Sequence, residues 1–217
     1  LPIAVQESFE PRKTPVQARA TVSLESILEA TLQVLLDVGQ ARLTTTRVAE
    51  RAGVSVGTLY QYFPNKSALL KTVMERHLAE IAGVVETACA GLHGQPLAAM
   101  AEGVVREFLR AKLGNLRKSM ALYAFSYDMD RVQIVKCISA RIRDAMATML
   151  RTSSEPLGTD PAVAAAMVGD MMAGVARRIV ESEVPKKQAD AMQRELVVAA
   201  TAYLQASAVK PTRRPCR

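Results

Sequence analysis

The residues best suited to chemistry are few and scattered. Two histidines, His77 and His93, and three cysteines, Cys89, Cys137 and Cys216, are the only imidazoles and thiols in the 217 residues. Neither histidine sits in an H-E-x-x-H, nucleophile-elbow or phosphate-loop pattern. Glu75 and His77 are two residues apart and so fall on different faces of a helix. Both histidines read as satisfied or exposed side chains. The cysteines form no C-x-x-C pair and, with the histidines, show no ligand spacing. We therefore expect no catalytic residue, no metal site and no cofactor. Three widely spaced cysteines fit a reducing, cytoplasmic setting, with Cys89 and Cys137 as small hydrophobes in apolar helical patterns. An all-helical enzyme is the weakest of the competing readings.

Hydroxyl, amide and ammonium groups are gathered more densely at residues 44–66, T-T-T-R-V-A-E-R-A-G-V-S-V-G-T-L-Y-Q-Y-F-P-N-K. If Leu59 and Phe63 face a core, Gly57 and Gln61 point the opposite way, with Thr58 and Tyr60 on the flanks. Gly57 would let another backbone approach closely. Thr58 and Tyr60 offer hydroxyls to phosphates, and Gln61 can pair with an adenine edge. Val56 and Tyr62 can touch a thymine methyl or flanking sugars. Lys66 stands in the first turn of the following helix, where a cation and unpaired N–H groups converge on phosphate. Phe63 and Asn65 read instead as a core aromatic and a helix cap.

These groups need elements to position them. Thr44 caps a short helix with Val48, Ala49 and Ala52 inward. Gly53 supplies the turn, Val54 staples against Leu59, and Ser55 caps a second short helix ending near Tyr62. Such a pair lays its second helix in the major groove and its first across the backbone. A preceding helix is expected to start at Ser23, stapled by Val22 and Ile27, with Ile27, Leu28, Thr31, Leu35 and Val38 on one face and Gly39 as its stop. Asn65 caps a long fourth helix carrying Leu69, Leu70, Val73, His77, Leu78, Ile81, Val84 and Val85. Further helices are expected near residues 96–113, 115–127, 128–151, 161–182 and 186–206, with breaks at Gly114, residues 153–158 and Pro185. No stretch reads as a strand.

The motif, together with Ser23, I-L-E-A at 27–30, L-L-D-V-G at 35–39 and Y-Q-Y-F-P-N-K-S-A-L-L at 60–70, resembles the DNA-binding head of the TetR (AcrR-like) family. That resemblance implies an all-α fold, with an N-terminal three-helix helix-turn-helix head and a larger helical body that dimerises and receives a ligand. It also implies a DNA-binding transcription regulator, by default a repressor. Carried over position by position, the family's DNA contacts fall on Thr45, Thr46, Val56, Gly57, Thr58, Tyr60, Gln61, Tyr62 and Lys66. The implied partners are a palindromic double-stranded operator, a second copy of the chain as a homodimer, and a small-molecule effector. Control by a protein partner in place of that effector is the alternative.

Composition supports this organisation without carrying it. Apolar residues make up 49% of the chain but aromatics only 4%, with no Trp, a mixture suited to helix-on-helix packing rather than a β-sandwich. The net charge is +7, yet residues 1–70 hold seven Lys/Arg against six Asp/Glu, so local placement rather than total charge must favour DNA. Residues 1–20 hold the basic cluster Arg12, Lys13 and Arg19 and read as a flexible arm, residues 21–68 as the head, residues 69–207 as the body, and residues 208–217 as a basic tail. No apolar run approaches a membrane span.

The helix after Asp160-Pro161 is apolar nearly all round, and the last helix repeats Ala189, Met192, Leu196, Ala199, Ala200 and Tyr203. Paired across a two-fold axis, the two would form a four-helix interface. Met adapts to irregular cavities, and Tyr combines an apolar body with one polar handle. Met100, Phe108, Met120, Tyr123, Tyr127, Met146 and Met171 are therefore the expected lining of an effector pocket for an apolar or amphipathic molecule.

Overall fold

Local sequence signals account for most of the helix ends in the computed structural model, which describes residues 15–123, 129–182 and 184–209. Nine helices run in chain order among these residues: α1 Pro15–Arg42, α2 Thr45–Ala52, α3 Val56–Tyr62, α4 Lys66–Gly91, α5 Leu97–Leu113, α6 Leu116–Tyr123, α7 Met129–Leu150, α8 Pro161–Glu181 and α9 Lys186–Ala206. The fold is all-α. The single β-bridge among the described residues, between Leu157 and Ala208, ties the α7–α8 connection to the end of α9. No helix among them is long and apolar enough to cross a membrane.

One expected boundary is corrected. Helix α1 begins at Pro15 rather than Ser23, so Ser23 lies inside the helix and cannot cap it, and residues 15–20 are helical rather than part of an arm. Proline suits the first helical position, and Gln17, Ala18, Arg19 and Ala20 are sound helix formers, so nothing holds the start back to Ser23. Of the other expected ends that fall among the described residues, those of α2 to α5, α8 and α9 agree to within a residue or two. Gly39 breaks α1 with φ 74° and ψ 169°, leaving one further turn to Arg42. The expected boundary between the helices near 115–127 and 128–151 falls outside the described residues, as do Arg12, Lys13 and most of the basic tail.

Two compact units divide between Leu70 and Lys71. In the first, α1 packs on α2 and α2 on α3. Ile27, Leu28, Thr31, Val34 and Leu35 are buried on α1, Val48 and Ala49 on α2, and Leu59 on α3, the i, i+3, i+4 pattern of helices facing one core. The Thr31 hydroxyl donates to the Ile27 carbonyl at 2.6 Å, which satisfies a polar group inside that core.

In the second unit α5 packs on α8 and α9, and α7 on α8. Their buried residues form one cluster that includes Ile81, Ala82, Val85 and Cys89 from α4. Burial pushes the Cys89 thiol up to about 12, so it behaves as a small apolar group. Asp160 starts α8 by accepting the Ala162 N–H at 2.7 Å ahead of Pro161, while the Glu155 carboxylate accepts the Leu97 N–H at 2.9 Å and so caps α5 from a distant loop.

Candidate functional site

The α2–α3 unit is built almost entirely from local caps. Thr44 Oγ1 accepts the Arg47 N–H at 3.3 Å and opens α2. Gly53 follows in the left-handed region at φ 69°, where its N–H and that of Val54 bond back to the Glu50 and Ala49 carbonyls. Ser55 Oγ then accepts the Thr58 N–H at 3.0 Å and opens α3. Asn65 Oδ1 accepts the Ala68 N–H at 2.8 Å and opens α4. Each cap contributes about 1 kcal/mol, and together they fix where α3 begins, ends and faces.

That facing decides what α3 presents. Leu59 is wholly buried and Phe63 nearly so, whereas Gly57, Tyr60 and Gln61 are exposed, Tyr60 at 49%. Val56, Thr58 and Tyr62 are half-buried at the flanks. Thr45 is half-buried and Thr46 exposed at the start of α2. The hydroxyls of Thr45 and Tyr60 lie 3.2 Å apart, so one donates to the other and α2 braces the Tyr60 ring. Sequence reasoning missed this contact, because residues fifteen positions apart give no periodic signal. Lys66, half-buried, donates from Nζ to the Gln40 carbonyl at 2.6 Å and ties the end of α1 to the start of α4. An ammonium has three N–H donors, so this bond leaves capacity for an anion.

A second candidate lies in the body, a cavity of about 120 Å³ between α4, α5, α6, α7 and α8. Of the expected lining residues, Phe108 and Tyr123 are in its wall. Met100 and Met146 are not: fully enclosed, they belong to the packed core, the usual fate of inward Met at helical spacing. Met120 and Met171 are half-buried and also outside the wall, and Tyr127 lies outside the described residues.

The wall instead uses Leu78 and Ile81 of α4 and Ile142 of α7 as apolar surface. His77 sits among them, buried and hydrogen-bonded. The Ser119 hydroxyl donates to the Lys112 carbonyl at 2.6 Å, so at 3.3 Å it accepts from His77 Nε2, fixing the tautomer with hydrogen on Nε2. Desolvation, then the charges of Lys118 and Lys112, lower His77 to about 4, against an opposing pull from Glu80. The ring is therefore neutral near pH 7. His77 was legible as an inward position of α4, but its partners on α5 and α6 were not. His93 is exposed. No group of three His, Cys, Asp or Glu able to hold a metal occurs among the described residues.

Both parts of the chain match known families. Residues 27–73 match "Bacterial regulatory proteins, tetR family", and residues 96–204 match "Tetracyclin repressor-like, C-terminal domain". The chain belongs to the TetR family. The transcriptional repressor KstR of Mycolicibacterium smegmatis is 35% identical over 94 residues, 43% of this chain and 41% of KstR. The class C tetracycline repressor of Escherichia coli is 46% identical over 54 residues, 25% of each chain. These alignments span less than half of either relative. In fold, a TetR-family regulator from Mesorhizobium loti superposes with a TM-score of 0.71 at 16% identity, over 88% of this chain and 99% of the other. SmeT, described as the repressor of the Stenotrophomonas maltophilia multidrug efflux pump SmeDEF, gives 0.63 at 24% identity over 88% and 93%, and has also been solved with triclosan. TetR-family regulators act by binding DNA rather than by catalysis.

Proposed function

We propose that this TetR-family chain is a homodimeric repressor that binds a near-palindromic DNA site through α3 and is released when a small apolar or amphipathic molecule occupies the body cavity. The observation that carries this reading is the exposed face of α3. Gly57, Tyr60 and Gln61 stand outward on a helix whose opposite side is locked into the core by Leu59 and Phe63. Thr45, Thr46, Thr58, Tyr60 and Lys66 then position the head on phosphates, while Gln61, with Val56 and Tyr62 beside it, reads base edges and methyl groups.

The dimer rests on the outer faces of α8 and α9. Val163 at 53%, Met167 at 45% and Val198 at 59% exposure stand on these helices, with Ala173, Gly174, Ala199 and Ala202 exposed among them. Small residues between large apolar ones suit close helix packing across a two-fold axis. A dimer with two heads matches a site of two half-sites about 34–36 Å apart. Val198→Glu is expected to leave the protomer folded and give monomers in sedimentation at micromolar concentration.

Release follows from helix α4. Met74, His77, Leu78 and Ile81 of α4 line the cavity, and the same helix begins at Lys66. A molecule wedged against those side chains tilts the helix that leads from the head. Couplings of about 1–3 kcal/mol are usual for such switches, and they require the molecule to prefer the released arrangement. SmeT, a repressor of similar fold solved with triclosan, supports a small apolar occupant. The test is a selection from random duplex DNA with the full chain. Enrichment of an inverted repeat supports the reading, and no enrichment over the input pool refutes it.

A further inference from the structure

The cations of the head are placed unevenly. Residues 1–70 hold seven Lys/Arg against six Asp/Glu, so the head carries almost no net charge. Yet three cations converge on the end of α1, where the Gly39 break sets off a last turn to Arg42. Arg42 Nε donates to the Val38 carbonyl at 3.2 Å, Arg47 Nη1 to the Arg42 carbonyl at 2.8 Å, and Lys66 Nζ to the Gln40 carbonyl at 2.6 Å. Asp37 and Glu50 share a groove with Arg47, but Asp37 is paired with Arg51 at 2.9 Å. No ion pair among the described residues includes Arg42, Arg47 or Lys66. A helix C-terminus carries roughly half a negative charge, enough to hold one cation. Three overcompensate it and repel one another, a penalty that an anion from outside removes.

The turn is also held still. Leu43 is buried, and its N–H bonds back to the Gly39 carbonyl at 3.1 Å. Thr45, three residues after Arg42, lies with its hydroxyl 3.2 Å from that of the outward Tyr60 on α3. Arg42 and Arg47 are both exposed. A guanidinium has five N–H donors, and each arginine spends only one on the carbonyl it holds, leaving a planar fork that suits a phosphate. We infer that Arg42 and Arg47 join Lys66 in a phosphate clamp at the end of α1, gripping the DNA backbone beside the groove that α3 enters. This rests on the reading of the outer face of α3 as the DNA surface and adds two contacts to it. Neither arginine was expected from the sequence, because the turn gathers donors and acceptors from residues 38 to 66. Phosphate contacts position the head without reading bases, so the clamp holds all sequences alike.

The experiment is anisotropy titration of the full chain against a labelled mixed-sequence duplex long enough for two half-sites, at salt concentrations from about 50 to 200 mM. Arg42→Gln and Arg47→Gln should each lower the salt slope by about one unit per protomer, and the double variant by about two. Arg47→Lys, which keeps the charge, should keep the wild-type slope. Arg51→Gln removes the same charge from the same helix as Arg47, at a side chain already paired with Asp37, and should leave the slope unchanged. An unchanged slope in both Arg42→Gln and Arg47→Gln, whatever their melting temperatures, would make these arginines caps of α1 and overturn the clamp. An equal fall in Arg51→Gln would tie the slope to the net charge of the head and overturn it too. Either result leaves wild-type binding, and the reading of α3, intact. A wild-type chain that binds no duplex across this salt range overturns both.

Discussion

The α3 surface and the body cavity are built in opposite ways. Most groups that orient α3 are close to it in sequence: Gly53, Ser55 and Asn65 are caps or turns at its two ends, Thr44 caps the helix just before it, and Leu59 and Phe63 are about one helical turn apart. The cavity draws on residues from Met74 to Arg177, on five helices whose meeting is decided by packing. Local rules make a site rigid and legible. Distant packing makes one that can change volume. A recognition surface needs the first property and a sensor needs the second.

The largest expected effect separates the two regions by stability. Leu59→Ala removes a wholly buried side chain from the small core under α3 and should cost about 2–5 kcal/mol, read by thermal or denaturant unfolding. DNA binding should fail with it, while the body's larger core keeps its helical signal. A single transition that melts both regions together would break the contrast.

Acid should act on the other region. His77 titrates near 4 in the folded chain against an ordinary 6.5, so the unfolded chain takes up the proton first. Stability is then undiminished above pH 6.5 and falls as the pH drops from there towards 4, by up to about 3 kcal/mol. His77→Gln should flatten this acid limb in denaturant titrations, and an unchanged limb would remove His77 as its source.

Smaller effects sort the contacts on α3. Gln61→Ala should relax preference at one base position by about 1–3 kcal/mol and leave nonspecific binding alone. Lys66→Ala should weaken specific and unrelated duplexes alike and lower the salt slope by about one unit per protomer. Because Lys66 also holds the Gln40 carbonyl, a small loss of stability accompanies it. A changed sequence preference with an intact salt slope would reverse the two roles.

The same contrast explains what could be read from the sequence. Helices α2, α3, α4 and α8 were legible because their caps and apolar spacing lie within or beside each segment, and α5, α7 and α9 were legible from apolar spacing and the flanking breaks alone. The start of α1 was not, since Ser23 has the chemistry of a cap but sits in a run of good helix formers that continue back to Pro15. In the cavity, Phe108 and Tyr123 were legible as inward aromatics. Met100 and Met146 were misplaced because inward spacing does not distinguish a packed interior from a hollow one. The pairings of His77 with Ser119 and of Thr45 with Tyr60 join different helices and leave no trace in periodicity.

The central claim is that the outer face of α3 lies against DNA, and Gly57 gives the most direct test. A Cβ at this position meets only Ser55 Oγ, at 3.7 Å, so the fold has room for a side chain that a close DNA surface does not. Gly57→Leu should leave the melting temperature unchanged or raise it, since glycine inside a helix costs about 1 kcal/mol. Anisotropy titration against the selected duplex is predicted to show affinity falling by about a hundredfold or more, equivalent to nearly 3 kcal/mol. Unchanged affinity from a folded Gly57→Leu protein would place the DNA contact elsewhere and contradict the account.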